Sequence, residues 1–298
     1  MVIPVLITLD IHSYPDTEKA MPDWIEKTLE VFDYLDVKAT FLFPAIFAEQ
    51  FAPSVRAILR AGHEVGCHGL THGRDVQYNS LSYKEQKVIL SESKSRIEAV
   101  TSCEATSFRA PVFKINGNTI RALEENGFQV DLSVNPQRLG IMSSEVTNTG
   151  WLYAPRTPYH PDFNNPFRKG SASLWEIPQS AFIFPFMSNT GIAFGELFMK
   201  LFYKILYTES YFRNNPIVYM LHPEEVYPRD IKYRYEFKWR HLFPNKINGF
   251  EFRYFLFHNK DGKKIARENI NLLREIKRQK NVRFFTVKQI ISLLETKN

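Results

Sequence analysis

Apolar residues fall along this chain in short bursts separated by stretches of helical period, and the alternation is regular from the start. Residues 2–9 form a nearly continuous apolar run closed by Asp10, the pattern of a strand buried on both faces. Trp24, Ile25, Leu29, Phe32 and Leu35 then recur at helical spacing over residues 21–35, which predicts a helix laid across that strand. The same reasoning predicts a strand at 37–43, a helix at 53–61 ended by Gly62, a strand at 63–67 and a long amphipathic helix at 83–100. Strands follow at 107–110 and 128–132, around a helix at 117–126, and then at 173–177, 217–221 and 282–286, with a long helix at 262–279. Strands alternating with helices imply a parallel sheet with helical crossovers, and about seven of them favour closure into an α/β barrel.

Two stretches break the rhythm. Residues 182–212 are rich in Phe, Tyr, Leu and Ile, and 195–207 read as a strongly apolar helix that either covers the barrel or touches a membrane surface or lipid chain. Residues 227–257 are aromatic and basic without a clear period and read as a long loop with a helix inside. The organisation predicted is one domain over 1–298 with an aromatic-rich insertion at about 182–257.

Composition narrows the class. Of the 298 residues, 44% are hydrophobic and 23% charged, a globular balance that excludes disorder and fibrous repeats. Cys67 and Cys103 are too few for a disulfide scaffold. No run of about 18 apolar residues is present, so a spanning helix is not expected. The first residues lack a basic segment and are interrupted by Pro4 and Asp10, which predicts a cytoplasmic protein. The net charge is +6, yet residues 258–298 alone carry eleven Lys and Arg against four Asp and Glu, so the basicity is local. It reads as a solvated helix face, or as attraction to an anionic membrane surface or phosphorylated substrate. No nucleic-acid motif accompanies it, and nucleic acid is not an expected partner.

The chemistry-bearing residues cluster where the strands end. Asp10 and His12, His68 and His72, Arg109, Asp131 and His222 each sit at or just beyond a predicted strand, and in a parallel barrel those ends share the face on which active sites are built. His68 and His72 are four apart, so a helical turn would let both reach one metal ion, although Gly69 stands where a zinc peptidase carries its general base. Asp10 and His12 alternate, which in extended chain puts them on one side. Arg109 at a strand end needs a carboxylate partner if buried, and Asp10 is the natural one.

Taken in order, these segments resemble a known family. Thr8-Leu9-Asp10-Ile11-His12, Lys38-Ala39-Thr40-Phe41, Gly62-His63-Glu64-Val65-Gly66 leading into His68-Gly69-Leu70-Thr71-His72, Phe108-Arg109-Ala110-Pro111, Asp131-Leu132-Ser133-Val134-Asn135-Pro136, Glu176-Ile177-Pro178 and Leu221-His222-Pro223-Glu224 look like the successive motifs of the polysaccharide deacetylase family, the NodB-homology or carbohydrate esterase family 4 group. The resemblance implies an irregular (β/α)7 TIM-like barrel and hydrolysis of an N-acyl, chiefly acetyl, group on an amino sugar of a glycan or a lipid- or nucleotide-linked precursor. It implies a divalent metal, zinc above all, with His68 and His72 as ligands. Asp10 would be the general base oriented by Arg109, and His222 the general acid with Asp131 as its carboxylate partner. The family commonly has adjacent aspartates, whereas here Ile11 takes the second place and His12 the third. His12 is therefore the expected third ligand, with Asp10 as ligand or weak metal binding as the alternatives. A deformylase or other linear-amide hydrolase, and a carbohydrate-binding pseudoenzyme, stay open beside the main reading. Membrane contact, at the inner face, is expected only as a peripheral association.

Overall fold

The computed structural model describes residues 2–12, 18–72, 77–138, 150–227, 236–245, 249–252, 255–256 and 261–296. Eight strands make one curled parallel sheet: β1 (Ile3–Asp10), β2 (Ala39–Phe43), β3 (Glu64–Cys67), β4 (Ser107–Phe108), β5 (Val130–Asp131), β6 (Trp175–Glu176), β7 (Ile217–Leu221) and β8 (Val282–Phe285). From β1 the sheet runs through β2, β3, β4 and β5 to β6, while β7 pairs with β1 from its other side. β8 shares β1 with β2: Ile3 to Leu6 pair with Val282 to Phe285, and Ile7 to Asp10 pair with Ala39 to Leu42. The result is the irregular (β/α)7-type barrel expected from the sequence.

Crossover helices α1 (Met21–Leu35), α2 (Ala45–Gln50), α3 (Ala52–Arg60), α4 (Tyr83–Thr101) and α5 (Gly117–Glu125) cover the sheet between successive strands. Their starts are locally specified. Ser82 and Glu85 form a reciprocal capping box at α4, and the Asn116 side chain accepts from the Thr119 amide at α5. α2 was not anticipated; Pro44 initiates it directly after β2.

The period of two along β1 sorts the core. Ile3, Val5, Ile7, Leu9 and Ile11 join the outer cluster with helix residues such as Ile25, Phe32 and Ile58. Leu6 faces the interior with Leu42, Val130, Leu132, Ile177 and Val218, and with Val287, Ile290, Ile291 and Leu294 of a helix that the sequence reading missed, Val287–Glu295. By the same alternation Thr8 and Asp10 look inward.

No ladder joins β6 to β7 among the described residues, and side chains bridge that seam instead. Gln179 Nε2 donates to the Val218 carbonyl at 2.6 Å, and the Val218 amide donates to Ser180 Oγ at 2.9 Å. Beyond the seam, the hairpin Ala181–Phe182 and Phe184–Pro185 leads into helix Ser188–Phe194 and then the apolar helix Glu196–Arg213. Of the aromatic stretch 227–257, residues 228–235, 246–248, 253–254 and 257 lie outside the described residues; the described part holds a 3-10 turn at Trp239–Leu242 and a short antiparallel pairing of Pro244–Asn245 with Gly249–Phe250.

Candidate functional site

Asp10 ends β1 facing the barrel interior, and Arg109 meets it there from the end of β4. Arg109 Nη1 donates to Asp10 Oδ1 at 2.6 Å and to Thr8 Oγ1 at 3.1 Å, while its Nε donates to the Leu132 carbonyl at 3.0 Å. Arg109 is fully buried and Asp10 nearly so. Burial pushes the Asp10 carboxyl up, but the charges of Arg109, His68 and His222 and the Arg109 hydrogen bond outweigh it, so the group sits below the ordinary carboxylate range. Asp10 is therefore held ionised. The expected Arg109 partner is the observed one.

His68 follows β3. Its Nδ1 lies 2.8 Å from the Arg109 carbonyl, and a carbonyl can only accept, so Nδ1 carries the hydrogen and Nε2 keeps its lone pair. Burial drives its pKa down to about 4, leaving it neutral. The segment from His68 to His72 does not make the helical turn that the four-residue spacing would need to align both rings. It is an irregular loop with Gly69 at φ +81°, where a Cβ would meet the Tyr78 hydroxyl at 3.0 Å. The loop still brings the rings of His68 and His72 to a centroid separation of 5.3 Å. His72 is likewise shifted down by burial. The His12 ring stacks on His72 at 5.4 Å and meets His222 edge-on at 4.5 Å, with Nε2 3.6 Å from Glu224 Oε1. The four imidazoles form one continuous group.

His222 follows β7, and its carboxylate partner is Glu225, not Asp131. Pro223 starts a 3-10 turn that folds Glu225 back, so that Glu225 Oε2 accepts from His222 Nδ1 at 3.0 Å, from the His222 amide at 2.8 Å and from the Ser188 hydroxyl. Burial works against the charged ring, but Glu225, then Glu224 and Asp10, lift its pKa to about 9, which keeps His222 an imidazolium at neutral pH. Asp131 is engaged elsewhere: its Oδ1 accepts from the Ser133 amide at 3.1 Å and from the Ser133 hydroxyl. Glu225 and Ser188 were missed in the sequence. The signal for Glu225 was present, a carboxylate three residues after His222 with proline between.

The donor chemistry at His68 and His72 fits a divalent cation of the zinc type. Two neutral imidazoles stand at a separation close to the roughly 5 Å that two rings on one tetrahedral ion adopt, given Zn–N bonds of about 2.0–2.1 Å. Among the described residues no three His, Cys, Asp or Glu side chains are already gathered as a ligand set. Any third donor would come from beside the pair, where Asp10 and His12 stand.

Residues 3–130 match the family model described as polysaccharide deacetylase. This segment is similar to the polysaccharide deacetylase family. The matched segment contains Asp10, His12, His68, His72 and Arg109, whereas Asp131, Glu176, His222 and Glu225 lie beyond it. Over 113 residues the chain is 30% identical to a peptidoglycan deacetylase-like protein of Gibberella zeae, covering 37% of this chain and 32% of that one. Over 110 residues it is 29% identical to a peptidoglycan deacetylase of Helicobacter pylori, covering 37% and 36%. The chain thus spans about a third of the length of these curated relatives. The crystal structure of a candidate polysaccharide deacetylase from Mycobacterium smegmatis superimposes with a TM-score of 0.62 at 17% identity, covering 99% of this chain and 91% of that one, a likeness of fold.

Proposed function

We propose that the protein hydrolyses the N-acyl amide of an amino sugar, chiefly N-acetyl, in a glycan or glycan precursor. The observation that carries this reading is a pair of oppositely set neighbours: Asp10 hydrogen-bonded to the Arg109 guanidinium, which favours its ionised form, and His222 hydrogen-bonded to the Glu225 carboxylate, which favours its protonated form. Environments that push two titratable groups apart in this way assign a base and an acid. Asp10 takes a proton from the attacking water. His222 delivers one to the departing nitrogen, which would otherwise leave as an unstable amide anion. Arg109 and Glu225 set these two protonation states. A divalent ion, zinc above all, held by His68 and His72 with His12 or Asp10 as third donor, would polarise the acyl carbonyl and lower the pKa of water. The names of the curated relatives support an N-acetylated sugar polymer as the substrate class.

The test is acyl release from N-acetylglucosamine oligosaccharides by the zinc-supplemented protein, with free amine and acetate counted together by mass spectrometry. Turnover is expected, and it should vanish in Asp10→Asn and His222→Ala while both variants stay folded. Wild-type release no faster than Asp10→Asn, with sugar bound, would favour the carbohydrate-binding pseudoenzyme. Parallel N-formyl substrates separate deformylation from deacetylation.

A cytoplasmic, lipid-linked precursor at an anionic membrane face is the finer reading, favoured by the helix Glu196–Arg213. Leu197, Leu201, Ile205 and Phe212 line its outer side, Leu197 and Phe212 being 83% and 80% exposed, with the exposed cations Lys204 and Arg213 alongside. No helix among the described residues is long and apolar enough to cross a membrane, so the contact would be peripheral. Cosedimentation with phosphatidylglycerol vesicles is expected, weakened by Leu197→Glu with Phe212→Glu. Equal recovery of wild type and variant in the supernatant would remove the membrane from this reading.

A further inference from the structure

Asp131 and Glu176 are paired in register at the ends of β5 and β6, and both are fully buried. One oxygen of each carboxyl is accounted for. Asp131 Oδ1 takes the Ser133 amide and hydroxyl, and Glu176 Oε1 takes the Val134 amide at 3.0 Å. The other two, Asp131 Oδ2 and Glu176 Oε2, find no other donor among the described residues, and the two side chains lie within hydrogen-bonding reach of each other. A buried acceptor left without a donor is destabilising, the more so when charged, and two neighbouring carboxylates would add mutual repulsion. One proton between them removes all three penalties.

We propose that Asp131 and Glu176 share a single proton, carried on Glu176 and donated to Asp131, and that this acid–carboxylate pair is the positioning element behind Arg109 and Asp10. Asp131 is the ionised member because it already accepts two hydrogen bonds, while Glu176 accepts one. Burial raises both groups, Glu176 well above its usual range, with the Asp131 charge adding to the rise and Arg109 opposing it. Tyr159 also faces the pair; its backbone exchanges hydrogen bonds with Glu176 and its hydroxyl donates to the Pro166 carbonyl at 2.6 Å, so it supplies no proton to either carboxyl.

The pair acts through the turn that follows β5. Glu176 and Asp131 between them fix the amides of Ser133 and Val134. Ser133 Oγ in turn accepts the Ala110 amide at 2.8 Å, and the Leu132 carbonyl holds Arg109 Nε. Arg109 then holds Asp10. The consequence for turnover rests on the hydrolase reading above, whereas the shared proton does not.

Infrared spectroscopy of the full chain tests the proton directly. A protonated-carboxyl carbonyl band is expected in wild type at neutral pH and should be absent from Glu176→Gln, whose amide can donate to Asp131 in the acid's place. Glu176→Gln should keep kcat within about threefold, while Glu176→Ala should lose roughly tenfold or more in kcat with KM little changed. Wild-type protein without that band, or a Glu176→Gln variant that retains it, would overturn the shared proton, and both readouts are independent of activity. Band loss with Glu176→Ala as active as Glu176→Gln would keep the proton and overturn the positioning role. If no variant folds, the wild-type band as pH is raised still decides: disappearance already at neutral pH refutes the proposal.

Discussion

Arg109 Nη1 and Asp10 Oδ1 stand 2.6 Å apart inside the barrel, joining residues 99 positions apart in the chain. Removing one member of such a buried pair leaves the other charge without compensation. Arg109→Leu should cost about 3–5 kcal/mol in urea unfolding and suppress turnover, because Asp10 then takes up a proton. Asp10→Leu added to it should restore stability but not activity. A single variant as stable as wild type would show that the pair contributes nothing.

Glu225 accepts three hydrogen bonds through one oxygen, two of them from His222. Glu225→Ala should lower kcat by roughly a hundredfold, the scale of a misplaced general acid. Substrates with an activated leaving group, which need no proton, should lose much less. Equal losses on both substrate types would detach Glu225 from proton delivery.

His68 and His72 are neutral and 5.3 Å apart between ring centroids. Elemental analysis after zinc loading should find about one ion per chain, lost in His68→Ala and His72→Ala. His12→Ala should lower occupancy if that ring supplies the third donor; unchanged zinc content leaves Asp10 in that place.

The Asp131 and Glu176 pair makes stability depend on pH. Burial and the neighbouring charge raise the folded-state pKa of Glu176 above its unfolded value, so its stabilisation is complete below the unfolded pKa and is lost as pH climbs through the folded one. Urea midpoints should fall as pH rises above the unfolded glutamate value of 4.5 and go on falling through the raised folded one, and Glu176→Gln should flatten that decline. A midpoint that rises over this interval would contradict the assignment.

Much of this arrangement was legible from the chain alone, because strand ends are marked by the change from apolar runs to polar residues. Asp10, His68, Arg109 and His222 stood out on that basis and do meet at one end of the barrel. Asp131 had the same mark, but its partner is fixed by strand register, Asp131 against Glu176, which no local pattern encodes. The helical turn that would have aligned His68 with His72 does not form, for a local reason: Gly69 adopts a left-handed conformation that a helix excludes. Helix Val287–Glu295 has a clear apolar period yet follows a strand without a breaker, and the boundary at its cap, Thr286, was read as strand.

That terminal helix and β8 bear on how the protein comes to exist at all. β1 is made well before its partner β8, so half of one edge waits for Val282 to Phe285, and the floor beneath Leu6 stays bare until Val287 to Leu294 arrive. Excising residues 3–130 would therefore leave an unsealed shell, and a truncation before residue 282 should turn a folding chain into a substrate for proteolysis.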